Sequence, residues 1–592
     1  MKQPKYHGPA LLRLSPLFLA ITLAACGSDS DNKSSSADTT QSLEVAADSS
    51  YTVSSTTTLD SLTIASGATL AAEDGKSLTM TVDGVETPIA EGSYSGTVVL
   101  TPTDNIEITY GELDPHYFRT AVYVEDGAYV ASKSVASAYV DGEVTDSSLS
   151  GGSITSVGEK FNGIMVTSSA DNTDAFDYDI SDVTINFTGN GGNDFAGFGA
   201  AIYSNGYANV NVENATIETT GAVRTAVFVD GNSTMSVNNS NIEVHNGTLP
   251  EDYVWNVNLG EMMEVPWMLG LTGNVRATNL VGQGTAYYNN STIKAQGWGV
   301  LSTDDTESVR LYCINSTLET TDSGYGGYSI GDAVDTFSNC KLNVNDYGLI
   351  MAAEGAGTFT DGTVVNSDRF GVMLHSNGNG TLRIERGAVF NTGEAVIQAK
   401  GSFPTIEVDN ASLNSANGVI LQLMPNDDPY FAQFVAMFPE LGGSTGSSSS
   451  ASFTDVTLSG DIIHGNTASG DLNVTLASAT LTGAITTATT AFQFELDGLA
   501  AEDVTADQYY YIGQVQNTFE ATGEDGGLFL TMDGSSSWVV DTTSYLNSIT
   551  IEDGASITAA SGKTLTMLVD GVETAIAAGT YTNVVMQVAS AE

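Results

Sequence analysis

A short phrase that begins with asparagine returns at regular intervals through the middle of this chain. In each copy an Asn is followed three residues later by Ile or Leu, and the copies are Asn214-Ala215-Thr216-Ile217, Asn239-Ser240-Asn241-Ile242, Asn290-Ser291-Thr292-Ile293, Asn315-Ser316-Thr317-Leu318, Asn339-Cys340-Lys341-Leu342 and Asn410-Ala411-Ser412-Leu413. Neighbouring copies lie about 25 residues apart, and a fixed period of this size indicates a repeat architecture. Because Asn tolerates the left-handed backbone conformation, each copy predicts a tight corner followed by an inward-pointing apolar side chain. Stacked Asn side chains are expected to form a hydrogen-bonded ladder from coil to coil.

Short runs of alternating apolar residues fill each period. Examples are 208–212 and 225–229, and runs of this length and alternation predict strands with one buried face. A coil of about three such strands that returns above its own start is a parallel β-helix, so we predict an all-β solenoid. The coils are expected from residue 111 to residue 490, which at about 25 residues per coil amounts to about 15 coils and a rod about 70 Å long.

Two segments near the ends of the chain have similar sequences. Residues from 51 onward match residues 538–587 without a gap, and both copies contain the run Val-Asp-Gly-Val-Glu-Thr, at 82–87 and at 569–574. Asp-Gly between apolar runs is a hairpin signal. Since a solenoid must cover the apolar ends of its stack, we predict that 51–110 and 538–592 are caps. The alternative is that both copies are small ligand-binding modules, and 491–537 is interpreted as an acidic connector.

The first 25 residues have the pattern of a secretory signal. Basic residues precede an apolar run, and small residues precede Cys26. The sequence Leu-Ala-Ala-Cys at 23–26 resembles a bacterial lipobox, which implies cleavage before Cys26, acylation of its thiol and anchoring in a membrane. Gly27 follows the cysteine, and in lipoproteins of this class that resemblance implies sorting to the outer membrane. Residues 26–50 are rich in Ser, Asp and Thr and predict a disordered tether.

Acidic residues dominate the charge of the chain. Its 71 Asp and Glu residues outnumber 18 Lys and Arg residues, and the formal net charge is -53. So few cations argue against nucleic acid and against an anionic membrane face as partners. The acidity indicates either a solvated surface or the binding of a divalent cation such as calcium.

Two further cysteines, Cys313 and Cys340, lie in successive predicted coils. The first precedes its corner residue Asn315 and the second follows its corner residue Asn339. They are therefore about three residues out of register, which corresponds to roughly 10 Å of strand. This distance exceeds the span of a disulfide, so we expect two buried free thiols.

The corner phrases, the lipobox and two plain coils together carry a resemblance to a known superfamily. The coils contain Leu-Ser-Gly-Asp-Ile at 458–462 and Leu-Thr-Gly-Ala-Ile at 481–485. With them, residues 111–490 resemble the pectin-lyase-like right-handed β-helix proteins, and more closely the autotransporter passengers, which are surface β-helices that often serve adhesion. The resemblance implies a right-handed parallel β-helix. It does not settle function, because this fold carries lyases, hydrolases, adhesins and inert shafts.

Three aspartates, Asp230, Asp304 and Asp332, follow the strand after a corner at the same offset. Equivalent positions lie above one another in a parallel stack, so we expect a column of carboxylates with Asp305 and Asp335 beside it. Stacked like charges raise the pKa of one another unless a cation intervenes. The column has three interpretations: solvated turn residues, a calcium site at Asp304, Asp332 and Asp335, or an acid and a base for cleaving glycosidic bonds, drawn from Asp230, Asp304, Asp305 and Asp332.

The resemblance to pectinolytic β-helices implies a basic residue or a histidine near such a cluster. Arg224, Arg276 and His375 are the candidates. The fuller motifs of those enzymes are missing, because the pair Asp304-Asp305 lacks the expected Asn-Thr-Asp, His-Gly and Arg-Ile-Lys companions.

Aromatic residues recur near equivalent strand starts at Trp298, Tyr325, Tyr328, Tyr347 and Phe370. They predict either a packing ladder or outward platforms for sugar rings. The longest interruption of the period, residues 247–286, carries large apolar side chains that are costly to leave in water. We expect it to fold back and wall a groove floored by Asp304 and Trp298, although it could instead only shield an apolar patch. The expected ligand-binding residues are Trp267, Arg276, Trp298 and Tyr325.

These observations predict a surface-exposed, acidic β-helical lipoprotein of the outer membrane. The preferred function is a non-enzymatic adhesin or glycan-contacting scaffold that needs no cofactor, with calcium as the one candidate ion. Its expected partners are glycans or the surface of a host or neighbouring cell, with the membrane contacted through Cys26. The alternative function is a polysaccharide lyase or glycoside hydrolase that uses the Asp cluster. Display on the periplasmic face is the alternative location.

Overall fold

The computed structural model confirms an all-β parallel solenoid. It describes residues 41–108, 116–251, 269–304, 308–352, 354–375, 378–428, 448–467, 470–493, 505–522 and 526–591. Strands in the shaft pair in parallel with the strand one coil later, as Val210 does with Met235 and Ile217 does with Ile242. Each coil contributes strands to three faces of the shaft, here named face 1, face 2 and face 3 in chain order.

The bounds of the strands follow these faces. Face 1 consists of His116–Glu125, Phe161–Thr167, Ile202–Ser204, Val227–Val229, Thr278–Leu280, Gly299–Thr303, Tyr325–Ile330, Tyr347–Ala352, Phe370–His375, Ile397–Lys400, Val419–Met424, Asp461–His464 and Ile485–Phe492. Face 2 consists of Phe176–Ser181, Ala208–Glu213, Thr234–Asn238, Thr285–Asn289, Arg310–Ile314, Val334–Ser338, Ala356–Thr360, Thr381–Glu385, Thr405–Asp409, Ser448–Thr454 and Asp471–Ala477. Face 3 consists of Thr184–Thr188, Thr216–Thr220, Asn241–His245, Thr292–Ala295, Thr317–Thr320, Lys341–Val344, Val364–Ser367, Val389–Thr392, Ser412–Ser415, Thr457–Ser459 and Thr480–Thr482.

The predicted asparagine corner joins face 2 to face 3. All six Asn residues that begin the phrase have a positive φ, between 47° at Asn410 and 59° at Asn214. The Ile or Leu three residues later is buried in the interior core in every copy. The corner prediction is therefore confirmed, since a left-handed residue reverses the direction in which the next side chains point.

The asparagine ladder forms mainly at a different position. At the corner, Asn339 donates to Asn315 over 2.7 Å, but Asn214 donates instead to Asp182. A longer ladder runs along face 3, where Asn414, Asn391, Asn366 and Asn343 are joined by amide hydrogen bonds of 3.0, 2.9 and 2.9 Å. These side chains alternate with the buried residues of the strands, and their hydrogen bonds connect successive coils on the outer surface of the shaft.

Duplicated modules form the two ends of the shaft. The first contains Ser42–Val45, Ser50–Val53, Thr57–Ile64, Thr69–Ala72, Lys76–Val82, Val85–Thr87, Gly92–Asp104 and Ile106–Ile108, and the second contains Leu528–Met532, Ser537–Val540, Ser544–Ile551, Ser556–Ala559, Lys563–Val569, Val572–Thr574 and Gly579–Ser590. Leu43 pairs with Leu62 as Leu530 pairs with Ile549, so the duplication begins before residue 51 and the strand at 42–45 shortens the predicted tether. Leu472 pairs with Leu528, so the second module continues the stack of coils.

The remaining elements lie at the first coils and in one later excursion. They are the strands Ala128–Tyr129, Tyr139–Val144, Ser148–Ser156 and Val515–Phe519, the 3-10 helices Ala131–Lys133 and Ala136–Ala138, and the short α-helix Ala506–Tyr509. Within the described ranges, no helix has the length and apolar character needed to cross a membrane.

The cysteine prediction is wrong, because Cys313 and Cys340 form a disulfide with a Cα–Cα distance of 6.4 Å. Cys313 lies opposite Phe337 in the next coil, three residues before Cys340. The chain does not run straight over these three residues: it turns at Asn339, whose φ is 52°. The corner carries Cys340 back over the interior, so both sulfurs point into the core from adjoining faces.

Candidate functional site

The outer side of face 1 is covered by other parts of the chain. Leu349 and Met351 point into the interior core, whereas Ile350 between them packs in an outer apolar cluster. This cluster contains Val223, Leu269, Leu271, Trp298, Tyr325, Tyr347, Ile350, Phe370, Met373 and Ala395, and a second outer cluster contains Ile106, Phe118, Tyr123, Met165, Ala196, Phe198, Ala200, Tyr203, Phe228 and Val281. Four of the five recurring aromatic residues belong to this cluster, and Tyr328 packs against it half-buried. The rings of Tyr347 and Phe370 stack at 5.6 Å, so the recurrence is mainly a packing ladder.

Arg276 lies at the centre of a buried ion cluster on this side. Its Nε donates to Asp194 over 2.6 Å, and its Nη1 donates to Asp304 over 2.5 Å. The guanidinium lies 4.6 Å from the ring centroid of Trp298 and 4.9 Å from that of Phe195. Only 1% of the Arg276 side chain is exposed, against 13% for Asp304.

The electrostatics of this cluster keep the arginine charged. Burial by itself would lower the pKa of Arg276, but the attraction of Asp194 and Asp304 outweighs it and raises the pKa above its usual value. For the neighbouring Tyr325, burial disfavours the ionised phenolate and so raises the pKa. Its hydroxyl lies 2.8 Å from that of Ser302. Asp304 thus faces a permanent cation rather than a second carboxylate.

The expected column of aspartates is only partly formed. Successive strand pairs on face 1 align Val229, Leu280, Thr303 and Ser329. The residues that follow the first three of these, Asp230, Val281 and Asp304, therefore lie at one level, with Val281 between the two aspartates. Asp332 lies two residues beyond that level and accepts a hydrogen bond from the Ser308 hydroxyl over 2.7 Å.

Asp335 occupies a different compartment from the other aspartates. It lies on face 2, is fully buried and accepts a hydrogen bond from Thr303 over 3.3 Å. Burial raises its pKa well above the usual value. The structure therefore does not bring Asp304, Asp332 and Asp335 together. The described part of the chain contains no group of three or more His, Cys, Asp or Glu residues that could hold a metal ion.

Several predicted site residues fall elsewhere. Asp305 and Trp267 lie outside the described residues. Arg224 is buried and donates to the carbonyl oxygens of Gly158, Asn190 and Phe161, which makes it a clamp between coils. Thr278–Leu280 is a regular strand of face 1, so the predicted excursion at 247–286 ends before residue 278.

A second buried ion pair lies farther along face 1. Arg369 donates to Asp346 over 3.1 Å and to the carbonyl oxygens of Gly270, Tyr510 and Ile512. Its guanidinium also lies over the rings of Tyr347, Phe370 and Tyr510. Arg369 therefore binds two separate excursions of the chain to the shaft.

A third cluster contains Lys400, Asp427, Asp428 and His375. The Lys400 ammonium forms ion pairs with both carboxylates and lies 2.7 Å from Asp427 Oδ1, and His375 Nδ1 lies 3.1 Å from Asp428. Burial would raise the pKa of Asp428, but Lys400 and His375 lower it to about 2. His375 is the one residue of this cluster among the candidates predicted from the sequence. The chain has only 18 Lys and Arg residues. This scarcity could have drawn attention to Lys400 in this cluster and to Arg369 in the second ion pair.

The segment predicted as an acidic connector folds back onto these clusters. Gln398 Nε2 donates to the Gly513 carbonyl over 2.6 Å, and the Gly513 amide donates to Asp427 over 2.7 Å. Asn517 Nδ2 donates to Gln422 Oε1 over 2.6 Å. Together with Arg369, these bonds fix residues 510–517 along the outer side of face 1.

A polar cavity of about 130 Å³ lies between the folded-back segment and the shaft. Its lining includes Phe370, Glu394, Gln398, Asn417, Gln422 and Asn517. Amide side chains contribute both donors and acceptors, so this arrangement suits a neutral ligand with several hydroxyl or amide groups. The sequence offered no signal for the cavity, because residues that are about 100 positions apart form it.

We compared the chain with protein-family models, with curated proteins and with solved structures, and none of the three comparisons gave a match.

Proposed function

We propose that this protein is a surface lipoprotein of the outer membrane that binds glycans through a rigid β-helical shaft and does not cleave them. In this proposal Cys26 carries the lipid, and the shaft has the right-handed, passenger-like form of the pectin-lyase-like proteins. The partners are glycans of a host or neighbouring cell, and neither nucleic acid nor a required cofactor is involved.

The state of Asp304 is the observation that carries the non-enzymatic part of the proposal. A general acid or nucleophile must reach the substrate and exchange a proton or form a bond. Asp304 instead bonds to Arg276 in a nearly closed cluster, and Arg276 remains charged for the reasons given above. Asp230, which lies at the same level of the stack, accepts a hydrogen bond from the Gly231 amide over 2.6 Å. These contacts are typical of structural carboxylates that shape a rigid surface.

A combined binding and cleavage assay tests the proposal. The purified protein is applied to an array of neutral and acidic glycans, and the same glycans are then examined for new reducing ends or unsaturated products, with calcium and with a chelator. We expect binding without cleavage. Cleavage that disappears in Asp304→Asn but persists in Asp332→Asn, a matched change at an exposed aspartate, would overturn the proposal in favour of a lyase or hydrolase.

Location requires a separate test. Cells grown with a labelled fatty acid should incorporate label into the protein, and the Cys26→Ala variant should lose it. Protease added to intact cells should then remove the shaft. Protection of the labelled protein in intact cells, together with digestion after the outer membrane is permeabilised, would place the protein on the periplasmic face.

A further inference from the structure

The geometry points to the polar cavity between face 1 and residues 510–517 as the binding site for one neutral sugar unit of a glycan. This inference rests on the proposed glycan-binding function and adds its location and ligand class. The central residue is Gln398, which is 1% exposed and whose Oε1 has no hydrogen-bond partner among the described residues.

The orientation of the Gln398 amide is set by its surroundings. Nε2 donates to the Gly513 carbonyl over 2.6 Å, and the flipped amide would instead place two acceptors against each other. Oε1 is therefore an acceptor without a donor among the described residues, in a residue of the cavity wall. Because a buried acceptor without a donor costs roughly as much as a lost hydrogen bond, this oxygen calls for a hydroxyl or N–H donor from a ligand or water.

Gly513 lets the backbone of the folded-back segment pass close to Gln398 and Phe370. A Cβ atom added there would lie 2.7 Å from Gln398 Oε1 and 3.0 Å from the ring of Phe370. The glycine has φ +84°, a conformation that other residues adopt at a cost. A side-chain oxygen and an aromatic ring edge are therefore packed side by side in the wall of the cavity, which gives this wall both a polar and an apolar part.

The rim of the cavity supplies further groups of both polarities. Asn417 donates to Glu394 over 2.8 Å, and Asn517 donates to Gln422 over 2.6 Å. Each of these two Asn side chains uses one of its two amide hydrogens in these bonds, and Gln422 Oε1 accepts one hydrogen bond, so two donors and one acceptor are left for the hydroxyl groups of a ligand.

Charge selects a neutral ligand over an acidic one. Glu394 is a carboxylate in the lining, and no Lys or Arg belongs to the described lining of this cavity. The chain as a whole carries a formal charge of -53. A uronate would be repelled both locally and at long range, whereas a hexose or an N-acetylhexosamine would not.

The site is fixed before any ligand arrives. Arg369 holds the carbonyl oxygens of Tyr510 and Ile512, and Asp427 holds the Gly513 amide. The wall formed by residues 510–517 is thereby attached to two of the buried ion clusters, so little ordering is left to occur on binding.

Saturation-transfer NMR on the full-length protein tests the inference. The probes are glucose, galactose, mannose and N-acetylglucosamine, with glucuronic and galacturonic acids as charged counterparts. Three variants are compared: Gln398→Met removes the central acceptor, Gln493→Trp places a large ring at an exposed position of the mouth, and Gln587→Trp places the same ring at an exposed position of the second end module.

We expect saturable binding of at least one neutral sugar, a loss of tenfold or more in affinity in Gln398→Met and in Gln493→Trp, and unchanged affinity in Gln587→Trp. A deoxy analogue that lacks the hydroxyl facing Gln398 should bind the native protein as weakly as the native sugar binds Gln398→Met. Because Gln493→Trp changes an exposed residue, it keeps the test informative if Gln398→Met fails to fold.

Several results would overturn the inference. Neutral sugars that bind equally to the native protein and to both cavity variants would place the glycan site elsewhere and leave the proposed function standing. Binding of the uronic acids alone would contradict the ligand class, and a soaked crystal with only ordered water in the cavity would contradict the site. Absence of binding to every glycan on the array would refute the proposed function as well.

Discussion

Glu86 and Glu573 occupy the same position in the two end modules but lie in opposite environments. In the first module, Glu86 is fully buried, Oε1 lies 2.8 Å from Arg119 Nη1 and Oε2 accepts from Ser156 over 2.6 Å. Its short strand pairs in parallel with Thr155 and Ser156 of the first coil. In the second module, Glu573 is exposed, and among the described residues its strand pairs only with Lys563–Val569 of the same hairpin.

The change Glu86→Ala should therefore loosen the first module from the shaft. It removes one hydrogen bond to a charged donor and leaves the buried Ser156 without its carboxylate acceptor, and losses of this kind cost about 1.5–3 kcal/mol. The full 3–5 kcal/mol of a broken buried ion pair is not expected. Arg119 is 25% exposed and keeps its bond to the Glu159 carbonyl, so the charge left behind is still partly solvated. We expect a loss of about 2–3 kcal/mol in the free energy that holds this module in place.

Hydrogen exchange measured by mass spectrometry reports that free energy locally. Peptides that cover 76–104 should exchange faster in Glu86→Ala than in the native protein, whereas peptides from the middle of the shaft should not change. The matched variant Glu573→Ala should leave exchange in 563–590 within the error of the measurement. Equal effects of the two substitutions, or no effect of Glu86→Ala, would refute the argument that the burial of Glu86 attaches the first module.

Three other outcomes can be measured by chemical denaturation. Reduction of the Cys313–Cys340 disulfide, with its sequence separation of 27, should lower the free energy of unfolding by about 3.5 kcal/mol, and thiol titration of the denatured, unreduced protein should detect neither cysteine. Arg276→Met should cost about 3–5 kcal/mol because it leaves Asp194 buried without its cation, and adding Asp194→Asn should restore part of the loss. Burial lowers the pKa of His464 to about 4, whereas the unfolded chain takes up a proton near pH 6.5. Stability should therefore fall as the pH decreases from about 6.5 to about 4, and the variant His464→Gln should lose this part of the pH dependence; an unchanged pH profile would contradict it.

The corners and strands of the shaft were determined by the sequence alone. The Asn phrase predicts a left-handed residue because this preference arises within the residue and its neighbours, and the structure has positive φ at Asn214, Asn239, Asn290, Asn315, Asn339 and Asn410. Alternation likewise predicts which side chains enter the core, since successive side chains in a strand point to opposite sides. Repetition strengthens both signals, because each coil presents the same pattern again.

Relations between coils depended on the tertiary structure. Counting residues at a constant offset from the corner predicts that Asp332 lies in line with Asp304. Loop length differs from coil to coil, however, and the strand pairing places Ile330 beside Asp304. The same counting separated Cys313 from Cys340, because it treated the path through a corner as straight.

The clearest case is the run Val-Asp-Gly-Val-Glu-Thr, which occurs twice with the same sequence and the same hairpin pairing. One copy of its glutamate is buried against Arg119 and the other is exposed to solvent. The cavity next to Gln398 also depends on the tertiary structure, because its wall is attached to the shaft through backbone groups of Tyr510, Ile512 and Gly513. A backbone carbonyl or amide is present in nearly every residue, so no pattern in the sequence marks which of them a distant arginine or glutamine will bind.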